Sequence, residues 1–115
     1  MKPSSAKGKG RRLQNEVREK LLKSFLSLEP DDIKCAVMGE SGEDIKLSPL
    51  AQRTIPYSFE CKNQERLNIW SSLEQAEENC NGREPVLVFK RNRTKVYIAM
   101  DFEKFLTLIG NKCQK

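Results

Sequence analysis

The sequence predicts an α/β domain in which a mixed β-sheet is flanked by helices. Leu13, Val17, Leu21 and Phe25 recur at every fourth position, a period typical of a helix that buries one face. The run 85–89 is apolar at successive positions, as expected for a central strand that is buried on both faces. A second helical pattern lies between strand-like runs, and this arrangement favours a sheet with helices packed against it.

The chain is long enough for one such domain. It has 115 residues, of which 37% are hydrophobic, so it can bury one modest core but not two independent ones. We predict a single domain over residues 11–115. It is preceded by a flexible basic arm at residues 1–10, which has almost no apolar side chains to pack.

The predicted elements follow one another in the order α-β-β-β-α-β-β-α. The first helix runs from Arg11 to just before Glu29-Pro30, because proline favours a break there. Apolar or alternating runs between turns predict the strands, and a period near four predicts the later helices. The expected bounds are strands at 33–38, 43–47, 57–62, 85–89 and 95–100, a helical turn within 48–56, and helices at 67–79 and 101–109.

Positive charge is concentrated at the N-terminus. The formal net charge is +5, and residues 1–24 carry eight basic and two acidic side chains, which leaves the rest of the chain near neutral. This pattern is typical of proteins that bind a polyanion, with nucleic acid the first candidate, whereas a solubilising tail is the other interpretation. The candidate phosphate contacts in this segment are Lys7, Lys9, Arg11 and Arg12.

The absence of histidine limits the chemistry that the chain can carry out. It excludes Ser-His-Asp and Cys-His catalysis and histidine-ligated zinc. Cys35, Cys61, Cys80 and Cys113 contain no Cys-x-x-Cys pair, so a zinc site built from them lacks the usual spacing. No apolar stretch approaches the ~20 residues that span a bilayer. We therefore expect a cytoplasmic protein with reduced thiols and no membrane partner.

Two neighbouring strands of the predicted sheet carry acidic side chains. Side chains alternate between the faces of a strand, so in the run Phe59-Glu60-Cys61-Lys62 the carboxylate of Glu60 and the amine of Lys62 point the same way. Asp44 opens the preceding strand just after a glycine-containing turn, and pairing of the two strands would bring it near Glu60. Carboxylates this close repel one another unless a cation lies between them.

An acid pair without histidine or spaced cysteines favours a hard cation such as Mg²⁺ or Mn²⁺. A nearby lysine could orient or deprotonate an attacking water, or stabilise charge that develops on a phosphate. The spacing alone is a weak signal, because a chain with 32% charged residues produces it by chance. The turn-and-strand context strengthens the signal, and a surface ion pair between Glu60 and Lys62 is the other interpretation.

These residues resemble the PD-(D/E)xK nuclease superfamily, whose core has the order α-β-β-β-α-β, with an acid opening one strand and Glu-x-Lys on the next. Glu43 stands where the motif has proline. Within the superfamily the chain is most similar to small Holliday-junction resolvases of archaeal and phage type, and it also resembles small phage endonucleases. The resemblance covers about residues 7–100 and includes Gly10-Arg11-Arg12 before the helix with Glu16, Ser41-Gly42 before Asp44-Ile45, Phe59-Glu60-Cys61-Lys62, and Gln75.

The resemblance implies a restriction-endonuclease-like fold and a set of site residues. It implies Lys62 as the catalytic lysine, Glu16 as an acid that reaches the metal through water, and Gln75 as a supporting polar contact. From the sequence alone, Glu16 and Gln75 are equally well explained as solvated helix residues. The ligands that the resemblance implies for Mg²⁺ are Asp44, Glu60 and the backbone carbonyl of Cys61.

The expected function is Mg²⁺-dependent, structure-selective hydrolysis of DNA at Holliday junctions. A four-way junction is cut on two strands, so a homodimer with two active sites is expected. The last strand and the apolar helix after it are candidates for the dimer face, or they close the core of the monomer.

Three further residues are candidate DNA contacts, namely Ser41, Arg91 and Arg93. Ser41-Gly42 is equally well explained as a turn alone, and the basic turn with Arg91 and Arg93 as a solvated hairpin. Two alternative functions stay open. One is a nuclease of the same fold for flaps, mismatches or duplex DNA, and the other is a DNA-binding protein that keeps the fold without cleavage.

Overall fold

The computed structural model describes residues 3–37 and 39–110, with the backbone alone for residues 3–5. The helices are α1 (Pro3–Ser24), α2 (Pro49–Thr54), α3 (Ile69–Glu78) and α4 (Phe102–Gly110), and one 3₁₀ turn covers Pro30–Asp32. The strands are β1 (Ile33–Cys35), β2 (Ile45–Leu47), β3 (Tyr57–Asn63), β4 (Glu84–Lys90) and β5 (Tyr97–Ala99). The predicted mixed α/β class and element order are confirmed. Within the described ranges, no helix combines the length and the apolar character needed to cross a membrane.

The strands form two sheets instead of the single one expected. β1 and β2 pair antiparallel, with Cys35 opposite Ile45. The other sheet has the order β3-β4-β5, in which β3 and β4 are parallel and β4 and β5 are antiparallel. The parallel pairing places Glu60 opposite Leu87. The break between the sheets falls between β2 and β3.

Asp44 explains this break. Its backbone N–H donates to the Phe59 carbonyl at 3.3 Å, and its own carbonyl accepts from the Ala36 N–H at 2.8 Å. Its carboxylate then accepts from the Cys61 N–H at 2.7 Å. The Asp44 carboxylate therefore accepts the hydrogen bond from the Cys61 N–H on the edge of β3. In a continuous sheet, a backbone carbonyl of the neighbouring strand would accept it.

The first helix is longer than predicted. α1 begins at Pro3, so residues 3–10 of the predicted flexible basic arm are helical, and the boundary expected at residue 10 falls inside a helix. Proline suits the first helical position, whereas Gly8 and Gly10 each weaken a helix by about 1 kcal/mol. Contact with the body offsets this weakness, since the Asn63 side-chain amide donates to the Lys9 carbonyl at 3.1 Å.

The main core lies between α1 and one face of the β3–β4 pair. Its members from these three elements are Leu13, Val17, Cys61, Val86 and Val88. Side chains alternate along a strand, so Glu60 and the fully buried Leu87 lie on the opposite face. α3 covers that face with its buried residues Ser72 and Ala76. The sheet is thus a layer between α1 and α3. The acidic residues Asp44 and Glu60 lie where these layers meet.

A buried ion pair joins the start of β2 to the start of β4. The Glu43 carboxylate pairs with the Arg83 guanidinium, and their side chains are 8% and 11% exposed. Arg83 also donates through Nε to the Tyr57 carbonyl at 3.5 Å, and desolvation lowers the pKa of its guanidinium. Glu43 and Arg83 therefore hold the starts of β2 and β4 together.

We expect Arg83→Met to lower the free energy of unfolding by about 3 kcal/mol, because it leaves the Glu43 carboxylate buried without a partner. Replacing both residues with apolar ones, as in Glu43→Leu/Arg83→Met, should bring stability back to within about 1 kcal/mol of wild type. Urea denaturation at pH 7 measures both values. As a control, Lys46→Met breaks the more exposed pair with Glu40, whose atoms are 3.6 Å apart, and should cost less than about 1 kcal/mol. A double variant as unstable as the single one would contradict this prediction.

Candidate active site

Glu60 and Lys62 lie on the same face of β3, as predicted from strand alternation. The Lys62 ammonium lies 3.8 Å from the Glu60 carboxylate, and the side chains are 20% and 4% exposed. The surface ion pair considered above does not fit this burial. Lys62 is the partner that reaches solvent, so its ammonium is available to a ligand.

The side chains of Asp44 and Glu60 lie beside β3, close enough for the charge of Asp44 to act on Glu60. Asp44 is held there by the Cys61 N–H. The N–H and C=O of one strand residue point to the same side, so the Cys61 carbonyl also faces this edge of β3. This edge therefore carries the residues that the resemblance implies as metal ligands, namely Asp44, Glu60 and Cys61.

The charges of this pair are strongly coupled. Burial, and then the negative charge of Asp44, raise the pKa of Glu60 to about 7. Burial also raises the pKa of Asp44, although the bond from the Cys61 N–H and the charge of Lys62 act in the opposite direction. Glu60 is therefore harder to ionise in the folded protein than in water. Burial raises the pKa of the Cys61 thiol as well, so Cys61 faces the core as a neutral side chain.

The donor set fits a hard divalent cation. Among the described residues, no three His, Cys, Asp or Glu side chains form a metal-binding group. Mg²⁺, however, keeps several waters and uses one or two carboxylates from the protein, which matches two acids and a carbonyl. A divalent cation would also remove the repulsion that now holds a proton on Glu60.

Asn79 is a site residue that the sequence prediction missed. It is the C-cap of α3, and its side-chain amide donates to the Glu60 carboxyl at 3.3 Å. Gln75, the residue predicted for this role, is exposed one turn earlier. The sequence did contain a signal for Asn79, because the polar end of α3 comes directly before β4. β4 pairs with β3, the strand that carries Glu60.

Glu16 pairs with a neighbour on its own helix. Its carboxylate lies 2.9 Å from the Lys20 ammonium on the next turn of α1. It does not join Asp44 and Glu60 in a group of three acids within the described part of the chain. The role through water that the resemblance implies for Glu16 stays a prediction.

The basic residues of α1 that we predicted as phosphate contacts divide into two groups. Lys7, Arg11 and Arg12 are exposed, and the first two line a cavity that also contains Asp44. Lys9 instead has a side chain that is only 12% exposed, with its ammonium 3.9 Å from the Glu65 carboxylate. This placement removes Lys9 from the surface available to phosphates.

The remaining predicted contacts lie on exposed turns. Ser41 is exposed, and its carbonyl accepts from the Lys46 ammonium at 2.9 Å. Arg91 and Arg93 are exposed in the turn after β4. The same Glu65 carboxylate that lies near Lys9 accepts from the Asn92 N–H at 2.6 Å, which connects this basic turn to α1.

Comparisons with known proteins found no relative of this chain. No family model matches the chain, and neither curated proteins nor solved structures give a match. The chain's own residues therefore carry the functional proposal.

We expect the metal-free protein to lose stability as the pH rises from about 4.5 to about 7. Folded Glu60 keeps its proton up to about pH 7, whereas the unfolded residue releases it near its ordinary value of 4.5. The folded state thus binds more protons within this window, so the free energy of unfolding falls as pH increases. The full shift is worth about 3 kcal/mol, which screening by nearby solvent reduces to about 1–2 kcal/mol.

Urea denaturation in EDTA at pH 5, 6, 7 and 8 measures this slope. Glu60→Gln, which cannot ionise, should flatten it and should be more stable than wild type at pH 8. Glu77→Gln, an exposed position on the same helix as Asn79, is the matched control and should leave the slope unchanged. A Glu60→Gln profile parallel to that of wild type would show that Glu60 does not titrate in this window.

Proposed function

We propose that this protein is an Mg²⁺-dependent endonuclease that cleaves branched DNA such as Holliday junctions. The observation that carries the proposal is the position of the Asp44 carboxylate, 2.7 Å from the Cys61 backbone nitrogen and next to Glu60, with the Lys62 ammonium 3.8 Å from Glu60. Acids that are buried side by side are costly to a fold. A binding site for a divalent cation next to a lysine accounts for that cost.

Each residue of the site has a role in phosphodiester hydrolysis. Asp44, Glu60 and the Cys61 carbonyl would hold Mg²⁺, which supplies positive charge for the phosphate and makes a water more acidic. The Lys62 ammonium donates to a phosphate oxygen or orients the attacking water. Asn79 fixes the orientation of Glu60 through its side-chain amide.

The proposed fold is restriction-endonuclease-like. Its support is the order of the elements around the site: the acid that precedes β2, Glu-x-Lys on β3, then α3, then β4 parallel to β3. The one point of departure is that β2 and β3 are joined through Asp44 instead of through a ladder.

Exposed basic residues support DNA as the substrate. Lys7, Arg11 and Arg12 on α1 and the turn with Arg91 and Arg93 present positive charge outside the site. Phosphate contacts of this kind give affinity without reading bases. Selectivity would then come from the shape of the DNA, which suits branched substrates in the cytoplasm of a cell.

The proposal includes a homodimer, because one face of the described structure is apolar and uncovered. β5 is the edge of its sheet, and an edge strand can pair with a second copy of itself about a two-fold axis. The helix that follows, α4, carries large exposed apolar side chains at spacings of three and four, so they lie on one face of the helix. We call this set the apolar face, and its members are Phe102, Phe105, Leu106 and Ile109, which are 41–70% exposed.

We expect Asp44→Asn, Glu60→Gln and Lys62→Ala each to lower the cleavage rate by at least ~10²-fold, which is about 2.7 kcal/mol of barrier. Binding to DNA should persist, because the basic residues on α1 and the turn remain. The assay uses labelled four-way, flap and linear DNA of matched sequence, with Mg²⁺, Ca²⁺ or EDTA.

The control for this experiment is Glu77→Gln, which changes one exposed acid outside the site. Cleavage should require Mg²⁺ or Mn²⁺ and should fail with Ca²⁺, whose looser coordination activates water poorly. Wild-type rates in the three site variants, or full activity in EDTA, would show that the proposed site is wrong. Loss of DNA binding in all three would assign them a structural role instead.

We expect Phe105→Glu to convert a dimer to a monomer, because it places a charge in the centre of the apolar face. Leu26→Glu, at another exposed apolar position that is 86% exposed, should leave the dimer intact. Size-exclusion chromatography with light scattering measures both masses. A wild-type protein that is monomeric at all concentrations would contradict the homodimer.

A further inference from the structure

A trough runs between α1 and the loop that connects β1 to β2. It consists of two adjoining cavities of about 210 and 330 Å³, which share Arg11, Gln14, Ala36 and Val37 as lining residues. Asp44 lines the first of these cavities. The trough therefore leads to the candidate active site.

One wall of the trough is basic. Lys7, Arg11 and Gln14 follow one another at spacings of four and three, so they lie on one face of α1. Glu40 lines the opposite wall, but its carboxylate is 3.6 Å from the Lys46 ammonium and accepts from the Val37 N–H. Its charge is thus already paired. The trough presents positive charge and hydrogen-bond donors to an anionic ligand.

Val37 supplies an apolar surface on the opposite wall. Its side chain is 70% exposed, so its apolar surface is available to a ligand. The Val37 N–H donates to the Glu40 carboxylate at 2.9 Å, and the Val37 carbonyl accepts from the Glu40 N–H at 3.0 Å. An apolar side chain opposite basic ones suits a base whose phosphate lies on the basic wall.

We infer that the trough binds one unpaired strand of DNA, with phosphates on Lys7 and Arg11 and a base against Val37. A base that enters cavities of about 210 and 330 Å³ leaves no room there for its pairing partner, so the cavities suit a single strand. The inference rests on the proposed function and narrows its substrate. The DNA has an unpaired strand next to the phosphate that is cleaved, as in a fork, a flap or an opened junction.

Substitution of Gly10 directly tests whether the trough binds a strand of DNA. It lines the trough, and a Cβ added there meets no atom within 4 Å. Gly10→Gln would therefore fill the trough without disturbing the protein, and it would raise helix propensity. Gly8 lies on the same helix but does not line the trough, and a Cβ there meets only the flexible end of Arg12, at 3.3 Å. Gly8→Gln is the matched control.

The probe is a fluorescein-labelled oligo(dT) of about 12 nucleotides, titrated in EDTA so that no cleavage occurs, with anisotropy as the readout. We expect Gly10→Gln to weaken binding by at least about ten-fold and Gly8→Gln by less than about two-fold. Both should melt at or above the wild-type temperature. Val37→Asp should weaken binding similarly, because it adds negative charge beside the phosphates, whereas Leu26→Asp should not.

The outcomes distinguish this inference from the nuclease proposal. Equal oligo(dT) binding by wild type and Gly10→Gln overturns the inference even if the protein cleaves DNA, and so does a failure of wild type to bind oligo(dT). Selective loss of binding in Gly10→Gln and Val37→Asp supports the inference even if no DNA is cleaved with Mg²⁺. That last result would overturn the nuclease activity instead.

Discussion

The hydrogen bond from the Cys61 N–H to the Asp44 carboxylate connects the two sheets and holds the candidate site together. It is short, at 2.7 Å, and it is supported by the two backbone bonds that Asp44 makes to Ala36 and Phe59. The same bond holds the Asp44 carboxylate beside Glu60. The pairing of the sheets and the position of the acids therefore depend on one side chain.

The fold accepts an electrostatic cost at this point and compensates for it nearby. Burial of two acids raises the pKa of Glu60 to about 7, and Asn79 and Lys62 reduce the cost only in part. The Glu43–Arg83 pair, buried at the starts of β2 and β4, holds the backbone in place. The cation of the proposed site would remove this electrostatic cost, and the acids that would bind it are already together.

Local patterns in the sequence were sufficient for the elements and for the common face of Glu60 and Lys62, because strand alternation is a property of the backbone alone. They were not sufficient to predict the split between the two sheets. That split depends on the Asp44 carboxylate, which accepts a hydrogen bond from β3 in place of a backbone carbonyl. The helix through Gly8 and Gly10 was missed because local propensity opposes it and a contact with Asn63, far along the chain, stabilises it. The nuclease function and its substrate stay predictions.

The packing of α1 also determines when the chain can fold during synthesis. Leu13 and Val17 leave the ribosome early, but β3, the strand that α1 contacts most, ends only at Asn63. The apolar stripe of α1 consequently stays incompletely covered until about half of the chain has been made, and chaperones or self-association can reach it during that time. Any fragment that ends before β3 carries the same exposed stripe permanently, so such truncated products of this chain will aggregate and be degraded more readily than the whole.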